Sequence, residues 1–221
     1  MSLLLKNGYV FFHIPKTGGK FIDQVLVKNN LYLCRIGSRH SNYDHINPII
    51  SQSNLTINFK NKKKSINIKL NHPLKFFCVI RDPLSWYESW FKYNSKINFE
   101  GGKDKGDYLN WHITSPLTEC NNENFNNFMY CVNKSKPGFV TYLFNSYIIN
   151  TKIQLIRFEN FAENLKNFFL ENNFNIDYND LEKSNPVNAS EEYSLEWENS
   201  IKKQTILNEK NYIDLYYNSY Y

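Results

Sequence analysis

The sequence predicts an α/β protein with a central, mostly parallel sheet flanked by helices, and three strand-to-helix junctions predict it. Tyr9–Ile14 reads as a strand, apolar from Tyr9 to Phe12, that enters the loop Pro15–Gly19. Beyond it Phe21, Ile22, Val25 and Leu26 fall at helical spacing over Gly19–Asn29. Leu74–Ile80 ("LKFFCVI") is continuously apolar, as a strand buried on both faces should be. It stops at "RDP", and a helix over Leu84–Lys96 follows. Lys152–Phe158 ("KIQLIRF") repeats the pattern, with Phe161, Leu165, Phe168 and Phe169 on the helix after it. Strands that alternate with helices pair in parallel, with the helices laid on the faces of the sheet.

Other stretches fill in around this frame. In "TINFKNKKKSINIKL", Ile57 and Phe59 alternate with polar residues and face Ile66, Ile68 and Leu70 across a lysine-rich turn, which predicts a β-hairpin. Its lysines, Lys62 to Lys64, read as a solvated tip. Asn98–Pro116 is rich in glycine and charge and reads as a long loop placed to act as a lid, with Tyr108, Trp111 and His112 as candidate acceptor contacts. Phe125, Phe128, Met129 and Val132 define another helix, and the tail from about Ser190 to Tyr221 reads as helical. No repeat or linker interrupts the chain, so a single domain over residues 1–221 is expected.

Composition narrows the function classes. A net charge of +5 favours anionic ligands but is far from that of a nucleic-acid-coating protein. The four cysteines, Cys34, Cys78, Cys120 and Cys131, form no C-x-x-C pair, which leaves zinc and redox motifs unsupported. Their pattern fits a reducing, cytoplasmic setting, although four cysteines also suffice for two bridges. The opening "MSLLLKNG" is too short for a signal h-region or a membrane span.

A strand, a Gly-rich loop and a helix together suggest an anion-binding turn. The "GGK" at residues 18–20 invites a nucleotide-kinase reading, but the pattern G-x-x-x-x-G-K-[ST] fails at both ends. Ile14 stands where the first glycine opens the turn, and Phe21 where a hydroxyl holds Mg²⁺. Aligned on "PKTGG" instead, Lys16 stands at the loop entrance and Gly18 and Gly19 let backbone N–H groups close on a phosphate. The helix N-terminus adds partial positive charge. Downstream, Arg81 at a strand end offers a fork of donors, Pro83 opens the next helix, and Ser89 sits about two turns into it.

"FFHIPKTGGKF" resembles the 5′-phosphosulfate loop of the sulfotransferases that use PAPS (3′-phosphoadenosine 5′-phosphosulfate), in the carbohydrate-type and bacterial branch that carries "HIPKTGGT". "FFCVIRDPLSWYES" resembles the family's 3′-phosphate motif R-[DN]-P-x-x-R-x-x-S through Arg81, Asp82, Pro83 and Ser89, with Trp86 in place of the second arginine. "SRHSNYDHI", "LIRFENFAENL" and "NPVNAS" are weaker matches, and residues 94–124 have none.

The resemblance implies a P-loop-like three-layer fold and in-line transfer of a sulfuryl group from PAPS to a hydroxyl, on a carbohydrate by the branch, with PAP as product and no metal. It implies that Lys16 stabilises the bridging oxygen as the S–O bond breaks. Pro15, Lys16, Thr17, Gly18, Gly19 and the amides of Lys20 and Phe21 hold the 5′-phosphate, and Arg81 and Ser89 hold the 3′-phosphate. Lys20 and Phe21 replace the family's hydroxyl residues, and Trp86 either stacks near the nucleotide or packs. His40 is the candidate base, because an imidazole suits proton removal near neutral pH, with His45 or a glutamate as alternatives. His13 reads as structural, and Arg35 and Arg39 either attract an anionic acceptor or are solvated. Two other readings are a P-loop nucleotide kinase and a PAP- or PAPS-binding protein without transfer activity.

Overall fold

The computed structural model describes residues 2–37, 40–50, 55–59, 62–68, 73–96, 113–148, 152–178, 181 and 195–221. Arg39, Leu70, Tyr108, Trp111 and His112 lie outside these residues. The chain divides into two compact units, Met1–Ile80 with Ser146–Val187, and Arg81–Asn145 with Asn188–Tyr221.

The first unit holds the sheet, in the order β3-β1-β2-β6-β7. The strands are β1 (Ser2–Leu5), β2 (Tyr9–Phe12), β3 (Tyr32–Ile36), β6 (Lys75–Ile80) and β7 (Ile153–Arg157). β2, β6 and β7 run parallel, with Phe12 opposite Cys78 and Ile80 opposite Arg157. β1 is antiparallel to both of its neighbours. It is a four-residue strand turned back through Gly8, whose φ of 81° suits glycine, and so short a run shows no periodicity to read in the sequence.

Alternation along the strands sorts the core into two faces. Leu3, Phe11, Phe77, Val79 and Ile156 pack with Phe21, Ile22 and Leu26 of α1 (Gly19–Lys28) and with Phe161, Leu165 and Phe169 of α6 (Phe161–Glu171). On the other face Phe12 stacks on Phe76, Tyr43 of α2 (Tyr43–Ile50) meets Phe76 edge-on, and Tyr147 closes on Phe12. A hairpin forms, but Lys62–Lys64 lie in its second strand, with Lys62 opposite Phe59, and not at its tip. β4 (Leu55–Phe59) pairs with β5 (Lys62–Ile68) antiparallel, Ile57 opposite Ile66, as a separate two-stranded sheet.

The second unit is helical. It contains α3 (Pro83–Lys96), a 3₁₀ turn (Ser115–Cys120), α4 (Phe125–Ser135), most of α5 (Phe139–Ile148), α7 (Asn199–Asn208) and α8 (Lys210–Tyr216). Aromatic pairs hold it: Trp90 stacks on Phe128 at 5.1 Å, Phe125 meets Trp197 at 4.8 Å, and Phe144 stacks on Tyr212 at 5.0 Å. A buried carboxylate organises one end. Glu209, 1% exposed, accepts from the N–H groups of Val140 (3.0 Å) and Thr141 (2.7 Å), from the Thr141 hydroxyl (2.6 Å) and from the Tyr87 hydroxyl (2.7 Å). It thereby satisfies orphan donors at the start of α5. Burial, with the Glu209 charge second, pushes the Tyr87 phenol well above its ordinary range.

Candidate active site

The loop after β2 is built by two left-handed residues around a buried threonine. Lys16 has φ 65° and Gly18, the N-cap of α1, has φ 75°. Between them Thr17 donates its hydroxyl to the Ile14 carbonyl at 2.9 Å and is fully buried. A left-handed lysine costs roughly 1–2 kcal/mol, so the loop keeps it only because its surroundings fix the turn. The result is an open helix mouth. The N–H of Phe21 bonds back to the Gly18 carbonyl at 2.9 Å, while the N–H groups of Gly18, Gly19 and Lys20 have no partner among the described residues. Open amides at a helix N-terminus are an arrangement suited to an anion.

The two glycines are also demanded by the protein's own side chains. A Cβ on Gly18 would come within 2.9 Å of the Phe161 ring, and one on Gly19 within 2.1 Å of the His13 ring. His13 lies just beyond the end of β2, stacked on Phe11 at 6.1 Å and edge-on to His40 at 5.2 Å. The Nδ1 of His40 is 3.0 Å from the His13 carbonyl oxygen. A carbonyl can only accept, so Nδ1 carries a proton, and in the neutral ring the lone pair is on Nε2. The His40 carbonyl in turn accepts from the Tyr147 hydroxyl at 2.8 Å. The Nδ1 of His45 lies 3.4 Å from the Asn42 backbone nitrogen and accepts its N–H.

Lys20 and Phe21, the two departures in the loop, go opposite ways. Phe21 is 3% exposed and packs edge-on against Phe161 at 5.7 Å. Lys20 is exposed and lines a cleft of about 350 Å³ with His13, Asp23, Gln24 and Arg35 over an apolar floor that includes Phe11. Within it Arg35 lies 3.8 Å from Asp23 Oδ2, and Asp23 Oδ1 is buried without a hydrogen-bond partner among the described residues.

In the second unit Arg81 follows directly on β6. Its Nε donates to Ser85 Oγ at 3.0 Å, and Ser85 donates on to the Asp82 carbonyl at 3.1 Å. Asp82 caps α3 by accepting the Ser85 N–H at 2.8 Å, and it also accepts from the Tyr221 hydroxyl. Ser89 is half-buried on α3, and its hydroxyl has no hydrogen-bond partner among the described residues. Trp86 packs, fully buried and tilted against Phe139 at 6.0 Å.

A family model described as the sulfotransferase family matches residues 5–197. The chain belongs to the sulfotransferase family. The match spans the Lys16 loop, His40 and the Arg81–Ser89 segment, and the mixed, mostly parallel sheet with flanking helices agrees with that family's fold. Comparison with curated proteins and with solved structures found no match. Among the described residues of this sulfotransferase, no helix is long and apolar enough to cross a membrane, and no cluster of three or more His, Cys, Asp or Glu could hold a metal.

The structure brings Lys16, Thr17, Gly18, Gly19 and His40 into one unit and aims Arg81 through a residue that sequence reasoning passed over. Ser85 stands at i+4 from Arg81, one helical turn on, and that spacing is the signal that could have found it. Tyr147, which steadies His40 from 107 residues away, left no signal in the sequence.

Proposed function

We propose that this protein moves a sulfuryl group from PAPS to a hydroxyl of a carbohydrate, acting as one domain over residues 1–221 in the cytoplasm. The observation that carries the proposal is the helix mouth, where the open amides of Gly18, Gly19 and Lys20 follow Lys16. In this reading Pro15 and Thr17 shape the loop and the amides grip the 5′-phosphate. Phe21 contributes packing, because its N–H is already bonded to Gly18. Arg81, aimed by Ser85, takes the 3′-phosphate together with Ser89. His40 Nε2 takes the acceptor's proton as the acceptor oxygen bonds to sulfur. The S–O bond to the phosphate breaks, and Lys16 stabilises the charge that forms on the leaving PAP.

The cleft beside the loop supports a sugar acceptor. Lys20, Gln24 and Arg35 offer donors, and the unpartnered Asp23 Oδ1 calls for a hydroxyl.

Thermal shift with PAP, against ATP plus Mg²⁺, tests the donor. Stabilisation by PAP alone supports the proposal, and stabilisation by ATP–Mg²⁺ alone replaces it with a nucleotide kinase. A transfer assay with PAPS over sugars, phenols and lipids then separates an enzyme from a PAP-binding protein and identifies the acceptor class.

A further inference from the structure

We propose that Cys120 and Cys131 are the two halves of a reversible intramolecular disulfide. Cys120 ends the 3₁₀ turn and Cys131 lies in α4, and their sulfurs are 2.7 Å apart. A disulfide bond is about 2.05 Å long, so closing it needs well under 1 Å of movement. The two segments are already held together by the Lys136–Glu119 ion pair at 2.9 Å, and Ser135 Oγ lies 3.3 Å from Cys120 Sγ. Of the other two cysteines, Cys34 is 1% exposed in β3 and Cys78 is fully buried in β6, so neither offers a partly exposed thiol as Cys131 does.

Exposure assigns the order of events. Cys131 is partly exposed, whereas Cys120 is 2% exposed and burial pushes its thiol up to about 11. The oxidant is a small-molecule disulfide such as oxidised glutathione. The Cys131 thiolate attacks one of its sulfurs and releases a first glutathione thiolate. The Cys120 thiolate then attacks the Cys131 sulfur of the mixed disulfide and expels the second. The protein loses two protons and two electrons, and the glutathione disulfide gains them as two thiols. The link fastens the 3₁₀ turn to α4 across an 11-residue separation in the chain.

The test is to treat the full chain with oxidised glutathione, then count thiols after unfolding and map the linked peptides by mass spectrometry. The expected result is a fall from four thiols to two, a mass lower by two hydrogens, and one linked peptide pair holding Cys120 and Cys131. The melting temperature should rise by roughly 5–10 °C and fall back with dithiothreitol, from the entropy a short closed loop removes from the unfolded chain. Cys131→Ser should keep three thiols and lose the rise. Four unreacted thiols, a lasting glutathione adduct on Cys131 with no internal link, or a link through Cys34 or Cys78 would each overturn the proposal.

Discussion

His40 and His13 are joined through a single geometric fact: the His40 Nδ1 stands 3.0 Å from the His13 carbonyl oxygen. That contact sets the tautomer and leaves Nε2 as the basic nitrogen of the neutral ring. His13 in turn leads into the loop that carries Lys16, so the candidate base is hydrogen-bonded to the backbone that enters the candidate anion cradle. Replacing His40 by Ala should therefore lower sulfuryl transfer about 10²–10⁴-fold while PAP still stabilises the protein. Single-turnover transfer rates and a thermal shift with PAP check both halves.

Lys16 separates charge from backbone strain. Its φ of 65° is a conformation that glycine adopts without cost. Lys16→Gly should match or exceed Lys16→Ala in stability by about 1 kcal/mol, yet both should lose transfer by roughly 10²–10³-fold. Urea denaturation and initial rates are the measurements. Wild-type rates in either variant would remove the lysine from the mechanism.

Gly19 is a packing partner of His13. A methyl group there would sit 2.1 Å from the imidazole Cδ2, so Gly19→Ala should destabilise by about 1–3 kcal/mol. Adding His13→Ala opens the space, and the double variant should be more stable than the sum of the single losses predicts. A double-mutant cycle in urea reads the coupling, and strict additivity would argue against the contact.

Restoring the family's hydroxyls should give opposite results at neighbouring positions. Phe21→Ser removes a ring buried against Phe161 and should cost about 3–5 kcal/mol. Lys20→Thr acts on an exposed side chain and should stay within about 0.5 kcal/mol of wild type. Melting curves of the two variants distinguish a core position from a cleft position.

Glu209 anchors the second unit. Glu209→Ala leaves the Val140 and Thr141 N–H groups and the Tyr87 hydroxyl without their acceptor. Each buried orphan costs about 1–3 kcal/mol, so the variant should lose about 3 kcal/mol or more. Denaturant midpoints check it, and a loss under about 1 kcal/mol would mean that water replaces the carboxylate.

Much of the frame was readable because its signals are local. The parallel strands β2, β6 and β7 announced themselves as apolar runs, and α1, α3, α4 and α6 as periodic stripes, with ends within a few residues of those observed. β1 and β3 were not readable. One has four residues, and the other mixes buried Cys34 and Ile36 with exposed Arg35, so neither shows a full period. α5 begins where a carboxylate 69 residues away meets the Val140 N–H, which no local pattern can signal.

The sequence by itself determined the α/β class, the loop Pro15–Gly19, the Arg81–Ser89 segment and the family, because each is a short run of residue types at fixed spacing. Only the tertiary structure decided which donors are open and which are spent. It tied Phe21 to the core and turned Lys20 to a cleft. It aimed Arg81 through Ser85 and set the His40 tautomer through His13. Those outcomes depend on angles and distances between residues remote in the chain or turned about a backbone bond, and a linear pattern does not carry them.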